Sequence, residues 1–372
     1  MGAANRKRIG RALDWVKERA RGRPFEAFQI EVTSRCTLRC RMCPKTALAD
    51  CWSGLDLPWV AFQRLASFFG QTKHVHLQGW GEPFLHPRLF DMIAEAKSAG
   101  CRVGLTTNGV LLNIEAGTRL LHLHLDLLAV SIAGATQETH AIIRVGSHLP
   151  TILENVRRFL DLRDQQKDRT PKVEIFFLMT RTNLSELPLA VDLAASLGVD
   201  ELVATNLDYV LTPEQDVLMA FGHPLLRDAF VRILDEARER AHRVGLACRS
   251  YPLDREEVAV CEANPSKILF ISCDGSVSPC TYMGLVGRSD IPRRFDCQTL
   301  TVPRLQFGNV LDQGLLEIWG SPAYQDFRRQ FAGRRLGVAA RALATLGSSE
   351  PLDSRLPPPP DSCRSCYKLY GL

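Results

Sequence analysis

The stretch of sequence that decides the fold runs from Phe28 to Cys43 and reads FQIEVTSRCTLRCRMC. Residues 28–33 are a short, largely apolar run that predicts a buried β-strand. Three cysteines, Cys36, Cys40 and Cys43, follow within eight residues. Thiolates with this spacing can converge on one soft metal centre and leave one coordination position free. Zinc or inert thiols are the alternative for this segment alone, although no fourth ligand with zinc-site spacing lies nearby.

The composition limits the class of protein. The 372 residues are 45% apolar and 23% charged, as in an ordinary globular protein, and no apolar run reaches the roughly 20 residues of a membrane span. No apolar segment follows the basic start of the chain, so nothing indicates export and we expect a cytoplasmic protein. Twelve cysteines in a reducing compartment favour metal or redox chemistry over disulfides.

Between residues 28 and 245, short apolar runs alternate with longer segments of helical periodicity, as in strand–helix units on a parallel sheet. The expected strands are Phe28–Thr33, His74–Gln78, Arg102–Thr107, Leu127–Ile132, Lys172–Met179 and Glu201–Asn206. The expected helices are Trp59–Phe69, Pro87–Ala99, Ile114–Leu121, Pro150–Gln166, Ser185–Leu197 and Leu225–Val244. Six such units predict an α/β fold, a partial (β/α)6 barrel over residues 25–245, with its chemistry at the carboxyl ends of the strands.

The rest of the chain predicts three further parts. Residues 1–24 predict a basic helix packed against the barrel, with an interfacial membrane helix as the alternative. Residues 246–372 predict a smaller α+β domain, in which a hairpin turns at Asp274-Gly275 and short helices span Leu315–Trp319 and Pro322–Phe331. Residues 333–360 end in four prolines and predict a linker or surface excursion.

The cysteine motif and the barrel pattern resemble the radical S-adenosylmethionine (radical SAM) superfamily. Cys-x3-Cys-x2-Cys follows the first strand, and Gly79-Trp80-Gly81-Glu82-Pro83 is similar to the Gly-Gly-Glu-Pro segment of that family. The resemblance implies a [4Fe–4S] cluster on Cys36, Cys40 and Cys43, with S-adenosylmethionine bound to its fourth iron. Reductive cleavage of S-adenosylmethionine would release a 5′-deoxyadenosyl radical, which abstracts hydrogen from the substrate.

The same resemblance implies which residues contact S-adenosylmethionine. Glu82 and nearby backbone carbonyls would meet its ammonium group, and Arg144 stands where relatives place an arginine that pairs with the methionyl carboxylate. Hydroxyl and amide groups at strand ends suit hydrogen bonds to the ribose or the carboxylate. The predicted contacts are Met42, Gly79, Gly81, Glu82, Thr107, Asn108, Ser131 and Arg144.

A second set of cysteines follows the pattern Cys261-x13-Gly275-x4-Cys280 and then Cys363-x2-Cys366. This pattern resembles the auxiliary-cluster extension called SPASM, or its shortened version called Twitch. It implies one auxiliary [4Fe–4S] cluster whose four thiolates leave no iron free, which favours electron relay. Only six residues follow Cys366, so we expect no second auxiliary cluster. A structural zinc is the alternative, and Cys273 is the chief rival ligand. The predicted ligands are Cys261, Cys280, Cys363 and Cys366.

Three functions remain open at this point. The first is a two-electron oxidation in a biosynthetic pathway, completed through the auxiliary cluster. The second is a maturase that modifies a peptide or protein, which the mere 35 residues before Cys36 make less favoured. The third, a non-catalytic iron–sulfur or zinc scaffold, conflicts with the intact cysteine motif and the segment around Glu82.

Partners and catalytic groups are less constrained. We expect a flavodoxin or ferredoxin as electron donor and a small molecule or peptide as substrate. A net charge of +5 fits a solvated surface or an acidic electron carrier, and we expect no nucleic-acid partner. Asp208 and Tyr209, just after the sixth strand, are candidate proton acceptors, and Cys51 is a candidate hydrogen donor.

Overall fold

The computed structural model describes residues 23–166, 169–345 and 356–372. Its centre is a sheet of ten strands. In chain order these are β1 Phe25–Ile30, β2 Thr72–Leu77, β3 Arg102–Thr107, β4 Leu127–Ile132, β5 Lys172–Met179, β6 Glu201–Asn206, β7 Ala247–Ser250, β8 Ile268–Ile271, β9 Ser276–Ser278 and, after the separate hairpin β10 Asp290–Phe295 and β11 Gln298–Pro303, β12 Gly308–Asn309. One further two-residue pair joins Arg39–Cys40 to Arg144–Val145.

The strands of the sheet follow the order β12-β9-β8-β1-β2-β3-β4-β5-β6-β7. The eight strands from β8 to β7 are all parallel, whereas β9 and β12 are antiparallel to their neighbours. Parallel strands end at the same edge, so the loops that follow them converge there. Cys36, Cys40 and Cys43 lie in a loop of this kind after β1, and Cys261 follows β7, whereas Cys280 follows the antiparallel strand β9 and Cys363 and Cys366 lie in the C-terminal segment.

Helices cover one face of the sheet and bury its apolar residues, among them Phe28, Val75 and Leu105. The helices are α1 Trp59–Ala66, α2 Leu89–Ser98, α3 Ile114–His122, α4 Gln137–Ile143, α5 Leu149–Asp164, α6 Leu187–Leu197, α7 Pro224–Val244, α8 Leu315–Gly320 and α9 Pro322–Thr345. Single helical turns span Pro44–Ala47 and Pro213–Asp216. Short 3₁₀ segments span Ala49–Cys51, Phe69–Gln71, Pro83–Leu85, Leu184–Glu186, Asp361–Cys363 and Tyr367–Tyr370.

The predicted α/β partial barrel is confirmed, and β3 to β6 have the predicted bounds. The first strand differs, because it spans Phe25–Ile30 rather than Phe28–Thr33. Thr33 has left the sheet and forms an isolated bridge with Asp56, whose carboxylate accepts a 2.7 Å hydrogen bond from the Thr33 hydroxyl. The sheet also continues past residue 245, since β7 pairs with β6 and β8 pairs with β1. The division into two domains at residue 245 therefore stays a prediction.

The region after residue 331 corrects another expectation. The predicted short helix over Pro322–Phe331 continues to Thr345, so residues 333–345 are helix rather than linker. Arg334 explains why, because its fully buried guanidinium donates to the carbonyls of Val258 and Ala259 at 2.8 and 3.0 Å and to that of Pro357. From the sequence, an arginine in a basic, alanine-rich stretch is expected at the surface. In the structure, Arg334 is buried and anchors the helix.

Two remaining expectations concern the chain ends and membranes. The predicted basic helix over residues 1–24 lies almost entirely outside the described residues, which begin at Arg23. Among the described residues, none of the helices combines the length and the apolar character needed to cross a bilayer.

Candidate active site

The loop after β1 gathers Cys36, Cys40 and Cys43, which we call the N-terminal cysteine site. Cys40 is buried and pairs with Arg144 in the two-residue antiparallel ladder. The backbone N–H of Cys43 donates to the carbonyl of Cys40 at 3.0 Å. Asn108, directly after β3, points its amide nitrogen at the Cys36 sulfur, 3.8 Å away. The three predicted thiols therefore lie together at the carboxyl end of the parallel strands.

The buried thiols of this site need a positive charge nearby before they can ionise together. Burial raises the pKa of the Cys40 thiol, although Arg144 lowers it in part, and burial together with the neighbouring thiols raises that of Cys43 to about 12. Three thiolates so placed repel one another unless a cation lies between them, and a bound metal deprotonates its thiol ligands outright. In the described ranges, no three His, Cys, Asp or Glu side chains meet the spacing of a single-ion site. A four-iron cluster gives each thiolate its own iron.

Glu82 lies beside these thiols and is almost completely buried. Its carboxylate accepts hydrogen bonds from the Thr107 hydroxyl and the Asn108 backbone N–H, both at 2.8 Å, and from the Phe84 N–H at 3.3 Å. Burial nevertheless raises its pKa. The Thr107 hydroxyl and the Asn108 backbone N–H thus orient the carboxylate, and the site favours a cation next to it.

Arg144 supplies a positive charge near the Glu82 carboxylate and the thiols. Its Nε atom is buried and has no hydrogen-bond partner in the part of the chain that the structure describes. The guanidinium is close enough to lower the pKa of both Cys40 and Glu82. An unpartnered guanidinium and a buried carboxylate beside three thiols match the carboxylate and ammonium groups of an amino acid.

Gly79 and Gly81 have a packing role that the sequence did not reveal. A Cβ on Gly79 would lie 2.3 Å from the Glu31 side chain, and one on Gly81 would lie 2.1 Å from the Thr33 carbonyl. The segment before Glu82 is therefore pressed against the loop that carries the cysteines. Of the other predicted contacts, Met42 is half-buried against the main core and Ser131 is half-buried near the end of β4.

The four cysteines of the second set also come together, and we call them the auxiliary cysteine site. Burial and then nearby Cys366 raise the pKa of Cys280 to about 11 and that of Cys261 to about 12. Burial, and then the other three thiols, raise the pKa of the Cys363 thiol well above its usual value. Three separate chain segments thus converge on one buried site.

Cys273, the rival ligand, lies elsewhere. Its backbone N–H donates to the Glu31 carboxylate at 3.3 Å. Burial and then the Glu31 carboxylate raise the pKa of its thiol. Its electrostatic neighbours among the described residues are Glu31, Ser34 and Asp274, and not the four thiols.

The candidate catalytic groups are engaged with other residues. Asp208 accepts a 2.6 Å hydrogen bond from the Tyr282 hydroxyl and pairs with Lys368 at 2.8 Å. The Tyr209 hydroxyl donates to the Tyr282 carbonyl at 2.9 Å, and burial raises its pKa, so it remains a neutral phenol. The sulfur of half-buried Cys51 lies 3.5 Å from the guanidinium of Arg288. Their catalytic roles stay predictions.

Comparison with known proteins decides the family. Residues 30–167 match the radical SAM superfamily, and residues 261–367 match SPASM, an iron–sulfur cluster-binding domain. The chain is 30% identical over 303 residues to the tungsten-containing aldehyde ferredoxin oxidoreductase cofactor-modifying protein of Pyrococcus furiosus, covering 80% of this chain and 82% of that protein. The chain belongs to the radical SAM superfamily.

Other relatives of this radical SAM enzyme agree. It is 26% identical over 305 residues to the PqqA peptide cyclase of Methylorubrum extorquens, covering 80% of this chain and 73% of the cyclase. Its fold is similar to the crystal structure of Streptococcus suis SuiB bound to S-adenosylmethionine, with a TM-score of 0.63 at 14% identity, over 89% of this chain and 74% of that one. Its radical SAM domain binds a [4Fe–4S] cluster and S-adenosylmethionine, and its SPASM domain binds an auxiliary iron–sulfur cluster.

Three stacked aromatic rings of the radical SAM enzyme could not be predicted from the sequence pattern. Trp80, in the segment before Glu82, stacks on Tyr209 with ring centroids 5.2 Å apart, and Tyr209 stacks on Tyr282 at 4.4 Å. We call these three rings the aromatic stack. Tyr282 lies two residues after Cys280, so the stack joins the segment before Glu82 to the auxiliary cysteine site. The position of Tyr282 beside a ligand was the one available clue.

His76 on β2 was also missed. Its Nε2 atom lies 3.0 Å from the Thr106 hydroxyl, and burial lowers its pKa to about 4, so the imidazole is neutral at pH 7. Gly104 stands opposite on β3, where a Cβ would lie 2.4 Å from the imidazole. A pKa this low makes the imidazole a weak proton acceptor at pH 7, so its observed role is the contact with the Thr106 hydroxyl.

Proposed function

We propose that this radical SAM enzyme oxidises its substrate by two electrons, with the N-terminal cysteine site and the auxiliary cysteine site each holding one [4Fe–4S] cluster. When bound, S-adenosylmethionine and the first cluster supply the radical that removes a hydrogen atom, and the auxiliary cluster supplies an acceptor for the second electron. The second hydrogen leaves as a proton, which a base of the protein accepts, while its electron passes to the auxiliary cluster. Overall, the substrate loses two hydrogen atoms.

The observation that carries this proposal is the aromatic stack. Trp80 belongs to the segment that positions Glu82, and its indole N–H donates to the carbonyl of Thr281 at 3.4 Å, next to Cys280. The three stacked rings lead from the segment before Glu82 to Tyr282, two residues after Cys280 of the auxiliary cysteine site. A substrate near this stack would have an electron acceptor within reach.

The protein's own residues orient S-adenosylmethionine. Glu82, held by Thr107 and Asn108, receives the ammonium group, and the free Nε of Arg144 receives the carboxylate. The Asn108 amide also donates toward the Cys36 sulfur, and hydrogen bonds to ligand sulfurs influence cluster potentials. Met42 and Ser131 complete the proposed contacts, together with the backbone at Gly79 and Gly81.

The experiment that tests the proposal compares the wild type with a Cys280→Ala variant under anaerobic conditions. The wild type should contain about eight iron atoms per chain, four for each cluster, and Cys280→Ala about four. The variant should still cleave S-adenosylmethionine when reduced with dithionite, but it should form no product that is two hydrogens lighter than the substrate. A product of unchanged mass from the wild type would contradict the two-electron oxidation.

Replacing Trp80 with leucine should uncouple radical formation from product formation. The variant keeps both cysteine sites but loses the stacking with Tyr209 and Tyr282, worth about 1 kcal/mol for each aromatic pair. We expect the amount of product per 5′-deoxyadenosine to fall about tenfold, which corresponds to about 1.4 kcal/mol in a barrier. The measurement is the ratio of the two products by mass spectrometry, with the iron content checked.

Trp59→Leu is the matched control. Trp59 also stacks on an aromatic ring, that of Phe62 at 5.5 Å, but it lies in α1 away from the aromatic stack. Its ratio of product to 5′-deoxyadenosine should equal that of the wild type. A normal ratio in Trp80→Leu would show that the aromatic stack is dispensable.

The surface around Cys40 suits an acidic electron donor. Arg39 and Arg41 are exposed on either side of buried Cys40, and Val145 beside Arg39 is an exposed apolar residue. Positive charges around an apolar patch attract and orient an acidic partner. We infer that a flavodoxin or ferredoxin docks here to reduce the first cluster.

Charge reversal tests this docking site. The double variant Arg39→Glu/Arg41→Glu should slow flavodoxin-driven cleavage of S-adenosylmethionine at low salt by about tenfold or more, because electrostatic steering contributes about 10- to 1,000-fold to association rates. Cleavage driven by dithionite should not change. Arg157→Glu/Arg158→Glu, the same charge change on exposed residues of α5, should leave both rates unaltered. Equal slowing by both double variants would exclude a local docking site.

A peptide is the second candidate for the substrate class. It is favoured by the similarity to a PqqA peptide cyclase, and it is compatible with the proposed oxidation because a peptide side chain can also lose two hydrogens. The test is to incubate the reconstituted enzyme with small peptides encoded beside its gene and to look for a product that is two mass units lighter. Oxidation of a small molecule alone would favour the first candidate.

A further inference from the structure

Arg293 is a buried arginine that the function above does not use. It lies on β10, where Ile291 and Arg293 face inward and are 0% and 2% exposed. An arginine is almost never fully buried unless it has a partner of opposite charge. Its surroundings therefore need an explanation.

The contacts of Arg293 tie it to the auxiliary cysteine site. One guanidinium nitrogen donates to the carbonyl of Ser362 at 2.8 Å, next to Cys363, and the other lies 3.6 Å from the sulfur of Met283, three residues after Cys280. The guanidinium thus bridges two of the chain segments that carry cysteines. Its Nε atom is buried and has no hydrogen-bond partner among the described residues.

No carboxylate neutralises Arg293 within the described ranges. Its neighbour Arg294 forms an ion pair with buried Asp216, and Lys368 pairs with both Asp208 and Glu262. Arg293 has no such pair there. The negative charges left to balance it are those of the neighbouring cysteine thiolates, since Ser362 directly precedes Cys363 and Met283 follows Cys280 by three residues.

We propose that Arg293 balances the negative charge of the auxiliary cluster and raises its reduction potential. This inference rests on the proposed ligation of that cluster by the four cysteines. Four thiolates outweigh the positive charge of the iron–sulfur core, and reduction adds one more negative charge, so a buried cation stabilises the reduced form more than the oxidised form. Arg293 acts through the cluster and is therefore a positioning residue.

The experiment is an anaerobic redox titration of the reconstituted full-length enzyme, followed by electron paramagnetic resonance. A Cys36→Ala background removes the signal of the first cluster, so the remaining signal belongs to the auxiliary cluster. In that background, Arg293→Met should lower the equilibrium constant for reduction at least tenfold, a shift of about 59 mV to more negative potential for a one-electron couple. Arg293→Lys, which keeps the charge, should stay close to the parent. Arg329→Met, which loses the same charge on a residue 69% exposed, should not shift the potential.

Each outcome either supports or overturns the proposed role of Arg293. An unshifted potential in Arg293→Met with a fully loaded cluster would overturn the proposal, as would an equal shift in Arg293→Lys. If Arg293→Met fails to assemble the auxiliary cluster, Arg293→Gln replaces it in the comparison. Loss of the cluster in both neutral variants but not in Arg293→Lys would still support a role for the charge, whereas loss in all three would indicate packing alone. A parent enzyme with no auxiliary signal would contradict the proposed ligation rather than the role of Arg293.

Discussion

Cys36→Ala is expected to abolish the formation of 5′-deoxyadenosine while leaving the auxiliary cysteine site loaded. Mutating residues that hydrogen-bond to metal ligands already lowers metal affinity or activity about 10- to 100-fold. The loss of a ligand itself should therefore lower the rate of cleavage more than about 100-fold. Iron should fall from about eight to about four atoms per chain. The measurements are an iron assay and the rate of 5′-deoxyadenosine formation with dithionite.

A cysteine outside both sites provides the control. Cys248 is half-buried on β7, and its pKa is raised by burial, with Arg238 and Glu201 as its charged neighbours rather than other cysteines. Cys248→Ala should retain all of its iron and full activity. If Cys36→Ala kept eight iron atoms and near-normal cleavage, the assignment of the N-terminal cysteine site would be wrong.

Gly81→Ala is expected to produce the largest loss of stability among conservative substitutions in the site. The new methyl group would lie 2.1 Å from the carbonyl of Thr33 and 2.7 Å from that of Arg35, and backbone atoms cannot rotate away as a flexible side chain can. The Arg35 carbonyl also accepts the 2.8 Å hydrogen bond from the Glu82 N–H, so relief of the clash would displace Glu82. We expect a loss of about 3 kcal/mol in the free energy of unfolding, at the upper end of typical overpacking costs.

Anaerobic urea unfolding measures this loss, and calorimetric titration of S-adenosylmethionine measures the displacement of Glu82. Gly70→Ala is the matched control, because a Cβ on Gly70 would meet no atom within 4 Å. Its stability and affinity should match those of the wild type. A Gly81→Ala protein as stable as Gly70→Ala would mean that the two loops are not pressed together as described.

The features that could be predicted from the sequence are those that depend on local spacing. The N-terminal cysteines lie within eight residues, so one strand end brings them together whatever the rest of the chain does. The alternation of strands and helices likewise follows from local periodicity, which is why β3 to β6 have the expected bounds. Glu82 beside Thr107 also follows, because parallel strands end at a shared edge.

The features that could not be predicted depend on which distant segments meet. Arg293 and Arg334 resemble surface arginines in the sequence, and only the folded chain shows that backbone carbonyls receive their guanidinium groups. Trp80 and Tyr282 are about 200 residues apart, so no local pattern announces their contact. Cys273 had the right spacing for a ligand, but the hairpin directs it toward Glu31 instead.

The position of α9 links oxygen sensitivity to conformational stability. Arg334 fastens the residues just before Cys261 to Pro357, shortly before Cys363, so the helix and the auxiliary cluster cross-link the same two parts of the chain. A cross-link that closes a long loop removes much of the entropy of the unfolded segment. Air damage to the iron would therefore leave this region held by the hydrogen bonds of Arg334 and by those that the Glu256 and Val258 N–H groups donate to the carbonyls of Tyr370 and Leu369.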